Sequence, residues 1–462
     1  MVKELKMNIA SIFESPLSSS SLLSHDKSAA IITNDDTFAY EEAKLSGVKN
    51  DGYALSPEKS LFAGFKQLNI NFDDIDYWVF PRDKNLSNQK KNIKSYFKYV
   101  HGKYDSRLLS NLINKKTYFI PHHDGHLALA GFSSPYDESV VLSIDGGGDW
   151  GDHYHLVLSQ FTQKNKFPIS KRSIQLRGSY GLANFHSWLT EGIGFLDDGK
   201  TSGLASYGKL NKQLYLKLLQ LFIRDRNNML IFKKKRNPFY LYKNEKIKLD
   251  SYQRKKIIYN QPGITNLSKL IREYRAEDIA FTGTKIIKDE ILNILKKTKS
   301  IYPKAKNISF AGGLFNNVNI NNFIIKSGIF QNYHFTMAPG DAGISLGAGL
   351  MLHHIKSFNK KNVYKKKKMS PYLGPSFDTK EIIEILKTSN LKFKILSKKK
   401  LSKIIAKFIS KGKVVGLFLG RGEFGPRSLG HRSIIASPKI KNIKKIINSR
   451  LKKRDWFMPF AP

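Results

Sequence analysis

The chain has 462 residues, 41% hydrophobic and 25% charged, which is long and apolar enough for two domains with proper cores. It contains no cysteine, which excludes disulfides, thiolate metal sites and thiol nucleophiles. Lys and Arg outnumber Asp and Glu by 78 to 37, a net charge of +41, but the lysines are spread with isoleucine and asparagine through linkers and helix faces. That spread reads as compositional bias, so nucleic acid is not an expected partner, although the charge would attract an anionic substrate.

The opening MVKELKMNIASIF is too short and interrupted for a leader or a spanning helix, and no later apolar run has membrane length, so a cytoplasmic protein is expected. Residues 28–33 (SAAIIT) and 37–41 predict two hairpin strands joined by Asn34-Asp35-Asp36, and 77–80 (YWVF) predicts another strand. Pro121 is suited to start a helix, which would put His122 and His126 one turn apart on one face, able to chelate one metal. His123 would point elsewhere, toward substrate or phosphate. Taken alone, the histidines fit a metal pair and two unrelated helix-start imidazoles equally well.

Residues 139–144 (SVVLSI) form a buried-type strand that ends at Asp145-Gly146-Gly147-Gly148, with 153–159 as its returning partner. The segment 210–265, rich in lysine, tyrosine and asparagine, reads as a surface insertion, and 267–297 as a helix. The strand 307–310 runs into Ala311-Gly312-Gly313 ahead of Asn316-Asn317. The strand 333–337 runs into Pro339-Gly340-Asp341, and a helix follows over 344–355. Each glycine turn is by itself compatible with a plain tight turn. Together they give two phosphate-cradling turns, two His and two Asp, a donor set for a hard or borderline divalent metal.

A basic stretch at 360–368 marks a linker. Beyond it come helix, strand, helix and strand signals, the last being 413–419. That strand opens onto Gly420-Arg421-Gly422-Glu423-Phe424-Gly425-Pro426-Arg427-Ser428-Leu429-Gly430-His431-Arg432-Ser433. Three arginines on a loop shaped by glycine and proline suit bidentate capture of phosphate or carboxylate.

In order and spacing, the segments HDKSAAII, HHDGHLALA, IDGGGDWGD, DDGKTSGLASYG, AGGLFNN, PGDAGISLGAG, YLGPSF and GRGEFGPRSLGHRSIIASP make the chain resemble the O-carbamoyltransferases of antibiotic and nodulation-factor biosynthesis. The resemblance implies an α/β chain with a duplicated, ribonuclease H-like, actin-like ATPase domain over 1–359. A basic linker over 360–370 would lead to a smaller domain over 371–462, similar to the enzyme that makes threonylcarbamoyl-adenylate. It implies that carbamoyl phosphate and ATP give carbamoyl-adenylate at the small domain, and that the large domain passes the carbamoyl group to a hydroxyl of a small molecule, commonly a sugar. By resemblance the metal ligands are His122, His126, Asp145 and Asp341, holding iron(II) or another divalent ion, and His25 is the general base. Gly146, Gly147, Gly312, Gly313 and Asn317 would line the nucleotide site, and Arg421, Glu423, Arg427 and Arg432 the carbamoyl phosphate and ATP site.

Three departures accompany the resemblance. Where the family has an acidic-then-arginine stretch followed by Lys-His, this chain has Glu41-Glu42-Ala43-Lys44 and then Lys49-Asn50. The family's Arg-Pro-Phe-Ala-Pro is Met458-Pro459-Phe460-Ala461-Pro462. From Met369 to Pro462 only about half of a family small domain is expected, which points either to a truncated sequence or to a degraded adenylate-forming site, and an exposed sheet edge there would invite a homo-oligomer or a C-terminal segment supplied in trans. The competing readings are a tRNA threonylcarbamoyl-transfer relative, which the charge would suit, and a basic binding protein with a degraded catalytic site.

Overall fold

Hydrophobic runs without polar alternation demand burial on both faces, and the first sheet meets that demand. It comprises β1 (Ile9–Phe13), β2 (Ser28–Ile32), β3 (Thr37–Glu41), β4 (Tyr77–Pro81) and β5 (Thr117–Ile120), in the order β3-β2-β1-β4-β5. β1, β2 and β3 pair antiparallel, whereas β1, β4 and β5 pair parallel. Ile9, Ala30 and Ile32 face one apolar cluster, while Ala10, Ile12, Ala29 and Ile31 face another that includes Leu61 and Phe65 of the helix Glu58–Leu68. The structure, a computed structural model, describes residues 7–13, 26–47, 57–81, 116–148, 154–178, 181–195, 197–232, 273–358 and 369–460.

The second sheet repeats this plan. Its strands are β6 (Glu138–Ile144), β7 (Tyr154–Thr162) and β8 (Ile174–Arg177), then, after the small hairpin of β9 (Phe222–Arg224) and β10 (Leu230–Phe232), β11 (Asn307–Ala311) and β12 (Asn332–Phe335). The order is β12-β11-β6-β7-β8, with β6, β7 and β8 antiparallel and β6, β11 and β12 parallel. Three meandering antiparallel strands followed by two parallel ones, occurring twice in one chain, is the duplicated ribonuclease H-like arrangement of the actin-like fold expected from the resemblance.

The two halves meet through two helices. His122–Ser133 packs on β6, β7 and β11, Ile344–Ser357 packs on β1, β2 and β4, and the two helices pack on each other. Their contact is made at backbone distance. A Cβ on Gly347 would lie 2.0 Å from the Gly125 carbonyl oxygen, and one on Gly125 would lie 2.5 Å from Ile344 Cγ2.

Two expectations need correction. Within 210–265, the described part to residue 232 is not a surface insertion. The helix Lys212–Leu219 buries Leu214 and Leu218, and the β9–β10 hairpin sends Phe222 into the same core. The four-residue spacing of those leucines is masked in the sequence by lysines on the outer face. Second, the strand expected between the helices Thr379–Thr388 and Lys398–Ser410 does not form: 391–397 joins no sheet among the described residues, and Leu391 and Ile395 stay exposed. The long helix runs Ala276–Ile301; residues 267–272 lie outside the described residues. No helix among the described residues is long and apolar enough to cross a membrane.

Beyond residue 368, β13 (Val415–Phe418) and β14 (Arg432–Ile435) pair antiparallel. Among its anchors to the first part are these two. The Ala39 N–H donates to the Leu373 carbonyl at 3.1 Å. Phe457 plugs into Leu204, Ala205 and Ala280, beside a Lys200–Asp455 ion pair at 2.9 Å.

Two stability measurements test this packing. Gly347→Ala should destabilise the chain by about 1–3 kcal/mol in urea titrations, because the new methyl must push two helix backbones apart. Gly416→Ala, whose Cβ meets nothing within 4 Å, should change it by less than about 0.5 kcal/mol. The second concerns His353 of the same helix. Its burial, aided by the neighbouring His354, depresses its pKa from 6.5 to about 4. The unfolded chain therefore binds a proton that the folded chain refuses between those values. Stability should fall as pH drops through that window, by up to about 1.4 kcal/mol per pH unit, and His353→Phe should flatten the dependence of the melting temperature on pH.

Candidate metal centre

In a parallel set of strands the carboxyl ends lie along one edge, where ligand crevices form. β6, β11 and β12 are such a set. Asp145 follows the end of β6, Gly312 and Gly313 follow β11, and Asp341 follows β12 on a short 3-10 turn. The helix Ile344–Ser357 begins three residues beyond Asp341. Across from this edge, Pro121 occupies the N-cap of the helix His122–Ser133, so His122 and His126 occupy its first turns with ring centres 5.0 Å apart.

The four side chains converge. His122 Nε2 lies 3.8 Å from Asp145 Oδ2 and 3.7 Å from Asp341 Oδ1, and His126 Nε2 lies 3.5 Å from Asp341 Oδ1. One donor atom from each residue lies within 4.8 Å of all the others. Burial works against the charge on Asp145, but the His122 and His126 imidazoles and the Gly313 N–H outweigh it, and the carboxyl is held well below the usual range. Two imidazole nitrogens and two carboxylate oxygens, converging on one buried point, fit a borderline divalent ion.

His123 does not face this centre. One residue round the helix from His122, it turns into the sheet, where Nδ1 lies 3.1 Å from Ser143 Oγ and Nε2 lies 2.7 Å from the Tyr154 carbonyl. It thereby fixes the helix opening against β6 and β7.

The glycine turns support the ligands directly. The Gly313 N–H donates to Asp145 Oδ1 at 2.6 Å. Gly312, at φ +98°, donates to the Pro339 carbonyl at 2.6 Å, and a Cβ there would lie 2.3 Å from the Ile144 carbonyl oxygen. The Gly146 carbonyl accepts from Asn184 Nδ2 at 2.7 Å, with Gly147 following it at the strand end. Asn317 caps the helix Val318–Lys326 by accepting from the Asn319 and Ile320 N–H groups, and its Nδ2 donates to Ser202 Oγ at 2.8 Å. Ser202 in turn lies 3.3 Å from His186 Nε2, and burial lowers the pKa of His186. The sequence did not single out Asn184, His186 or Ser202 individually, although Ser202 lies within the DDGKTSGLASYG segment.

A cleft of about 750 Å³ is lined by Gly340 and Ala342, which flank Asp341, and by Glu423, Arg427 and Arg432. Glu423 Oε1 accepts from the Leu429, His431 and Arg432 N–H groups at 2.8, 2.9 and 3.0 Å. Burial opposes its charge, but these backbone donors prevail and lower its pKa. Arg432 stacks over Phe418 at 3.6 Å and donates to the Gly420 carbonyl at 3.1 Å. Arg427 donates to the Asn316 carbonyl. Arg421 differs from the expectation. Its guanidinium is fully engaged, bidentate to Asp36 at 3.0 Å and donating to the Thr37, Leu373 and Gly374 carbonyls, and it does not line the cleft. It clamps the loop to the β2–β3 hairpin. Tyr40, Glu41 and Lys44 complete the cleft wall. Burial, with Glu41 adding to it, pushes the Tyr40 hydroxyl up to about 12. The sequence marked the 41–44 stretch only as a departure. His25 lies outside the described residues; its neighbour Asp26 lines the cleft.

Comparison with known proteins identifies the family. Residues 97–350 match the carbamoyltransferase N-terminus family and 406–462 the carbamoyltransferase C-terminus family. An uncharacterized protein of Methanocaldococcus jannaschii is 30% identical over 456 residues, covering 95% of this chain and 76% of that one. A second protein of the same organism is 29% identical over 408 residues, 83% of this chain and 60% of its own length. Nodulation protein NolNO of Sinorhizobium fredii is 26% identical over 475 residues, 99% of this chain and 65% of its own. The chain therefore spans about two thirds or less of several relatives. Among solved structures, full-length HypF in its phosphate- and nucleotide-bound form aligns over 77% of this chain and 56% of that one at TM-score 0.40 and 12% identity. At that level the fold assignment rests on the strand order. By the family matches over its larger part and the similarity to the 30%-identical relative, the chain belongs to the carbamoyltransferase family.

Proposed function

We propose that the chain carries out ATP-dependent O-carbamoyl transfer, with the segment after residue 368 forming the activating site and the actin-like part the transfer site. The observation that carries this reading is the cleft, whose lining brings Gly340 and Ala342, on either side of the cluster residue Asp341, together with Arg427 and Arg432. In this reading carbamoyl phosphate loses inorganic phosphate to water, and the carbamate oxygen attacks the α-phosphorus of ATP, expelling pyrophosphate. The acceptor hydroxyl then attacks the carbamoyl carbon of the adenylate and AMP leaves.

The chain's residues divide this work. Arg427 and Arg432 bring positive charge to the side of the cleft where phosphate oxygens would lie. The glycine turns at 146 and 312 would line the nucleotide, since glycine lets backbone approach phosphate closely. His25 is the base we assign to the acceptor hydroxyl, since an imidazole can remove a proton near neutral pH. A divalent metal, for which we favour iron(II), would supply Lewis-acid screening of the adenylate phosphate. His122, His126, Asp145 and Asp341 would hold it, and Gly313 would fix the Asp145 carboxylate that does so. The acceptor we favour is a sugar hydroxyl of a soluble precursor, met in the cytoplasm where ATP and carbamoyl phosphate are available.

Two measurements test the reading. Elemental analysis of His126→Ala should show divalent metal falling from about one per chain to under a tenth, with the circular dichroism spectrum unchanged. Full occupancy in the variant would remove His126 from the ligand set. The wild-type chain should catalyse ATP–pyrophosphate exchange only when carbamoyl phosphate is present, and Arg427→Ala should lower that exchange about tenfold or more. Exchange equally fast without carbamoyl phosphate would sink the proposed activation step.

A further inference from the structure

Lys44 stands where the sequence departs from its family, and its surroundings give it a defined task. The Nζ donates to the Glu423 and Gly425 carbonyls, both at 2.6 Å, and pairs with Glu41 Oε2 at 2.9 Å. An ammonium has three donors, and all three are used. The other Glu41 oxygen accepts from the Gly425 N–H at 2.7 Å. The turn at 423–425 is thus bonded on both its donor and its acceptor sides, by Glu41 at the end of β3 and Lys44 in the short helix Glu42–Ser46 that follows.

The opposite side of the same turn is wedged against the second half of the large unit. Gly425 sits at φ +103°, and a Cβ there would lie 2.0 Å from the Met337 carbonyl oxygen. Met337 lies four residues ahead of Asp341. Two residues beyond Gly425, Arg427 donates to the Asn316 carbonyl, just past the Gly312–Gly313 turn. One turn is therefore gripped by the first sheet and seated on the two strand ends that lead to the metal cluster.

A partly buried ion pair of this kind adds little net stability against an apolar packing of the same volume, but it fixes geometry closely. We infer that Glu41 and Lys44 are positioning residues: they hold the 423–428 turn so that Arg427 and Arg432 keep their places in the cleft lining. This inference rests on the proposed function for its kinetic consequence, and on the geometry alone for its structural one.

The test compares the full chain with Lys44→Met, Lys44→Arg and the near-isosteric Glu41→Gln. Hydrogen exchange followed by mass spectrometry reads the turn directly. Amides at 423–432 should exchange about tenfold faster in Lys44→Met, while those of the helix His122–Ser133 keep their protection. In carbamoyl-phosphate-dependent ATP–pyrophosphate exchange, KM for carbamoyl phosphate should rise about tenfold with kcat changed less than twofold. Lys44→Arg should restore both, and Glu41→Gln should fall between. Unchanged protection overturns the inference, and so does faster exchange of the turn with KM unmoved. A fall in kcat at constant KM would also overturn it, since that pattern reports only loss of folded protein. Should the wild-type chain support no pyrophosphate exchange, the proposed function fails separately. The inference is then judged by calorimetric binding of inorganic pyrophosphate to the same chains: about tenfold weaker binding in Lys44→Met supports it, and equal binding overturns it.

Discussion

The site depends on one steric constraint, the contact of two helix backbones where neither residue has a side chain. His122 and His126 open one helix, and Asp341 stands three residues ahead of the other. Gly125 and Gly347 let those helices touch at backbone distance, and Gly343 does the same against the Ala338 carbonyl, where a Cβ would lie 2.0 Å away. Donors from two halves of a duplicated fold are thereby brought within 4.8 Å by main chain. Backbone placement of this kind leaves few rotamers to be frozen when an ion binds, which is how a binding constellation is preorganised.

Gathering two imidazoles and two carboxylates in a buried place is costly unless each group is held by hydrogen bonds. The surrounding shell does this with groups that carry no metal chemistry themselves. The Gly313 N–H fixes Asp145, and His123 ties the start of the helix to Ser143 and Tyr154. Asp124 takes two donors from Arg172, at 3.1 and 2.8 Å. The segment His122-His123-Asp124 thus places one residue at the centre and two against the scaffold. The assignment follows from the rotation of about 100° per residue round a helix.

This division explains what could be read in the sequence. Strands with near-continuous burial, such as Ser28–Ile32 and Glu138–Ile144, announce themselves by composition, and the strand-end glycines and aspartates mark the crevice edge. The helical spacing of His122 and His126 carries half the cluster. What the sequence withheld depends on distant contacts or on masked patterns. Lys44 meets Glu423 and Gly425 from some 380 positions away, so neither stretch signals the other. In Lys212–Leu219 two core leucines are lost among lysines, and the 391–397 stretch has strand composition but no sheet to join among the described residues. The three loop arginines were alike on paper. Only their neighbours separate Arg421, whose donors are taken by a carboxylate and three carbonyls, from Arg427 and Arg432, which reach the cleft.

The composition also shapes how the junction is made. With 78 basic residues and 37 acidic ones, most cations cannot find a carboxylate. At the junction cations also bond backbone carbonyls: Lys44 to Glu423 and Gly425, Arg427 to Asn316, Arg432 to Gly420 and Pro375, and Arg421 to Thr37, Leu373 and Gly374. A carbonyl does not titrate, and a charge–dipole bond at hydrogen-bond distance is weakened less by salt than an exposed ion pair is. Bonding of this kind supplements the Lys44–Glu41 and Arg421–Asp36 ion pairs of the same junction. It also leaves the few carboxylates, Asp145, Asp341 and Glu423 among them, for places where negative charge is needed. The excess of basic residues is thus compatible with a small-molecule site, since at the junction main chain takes up part of it.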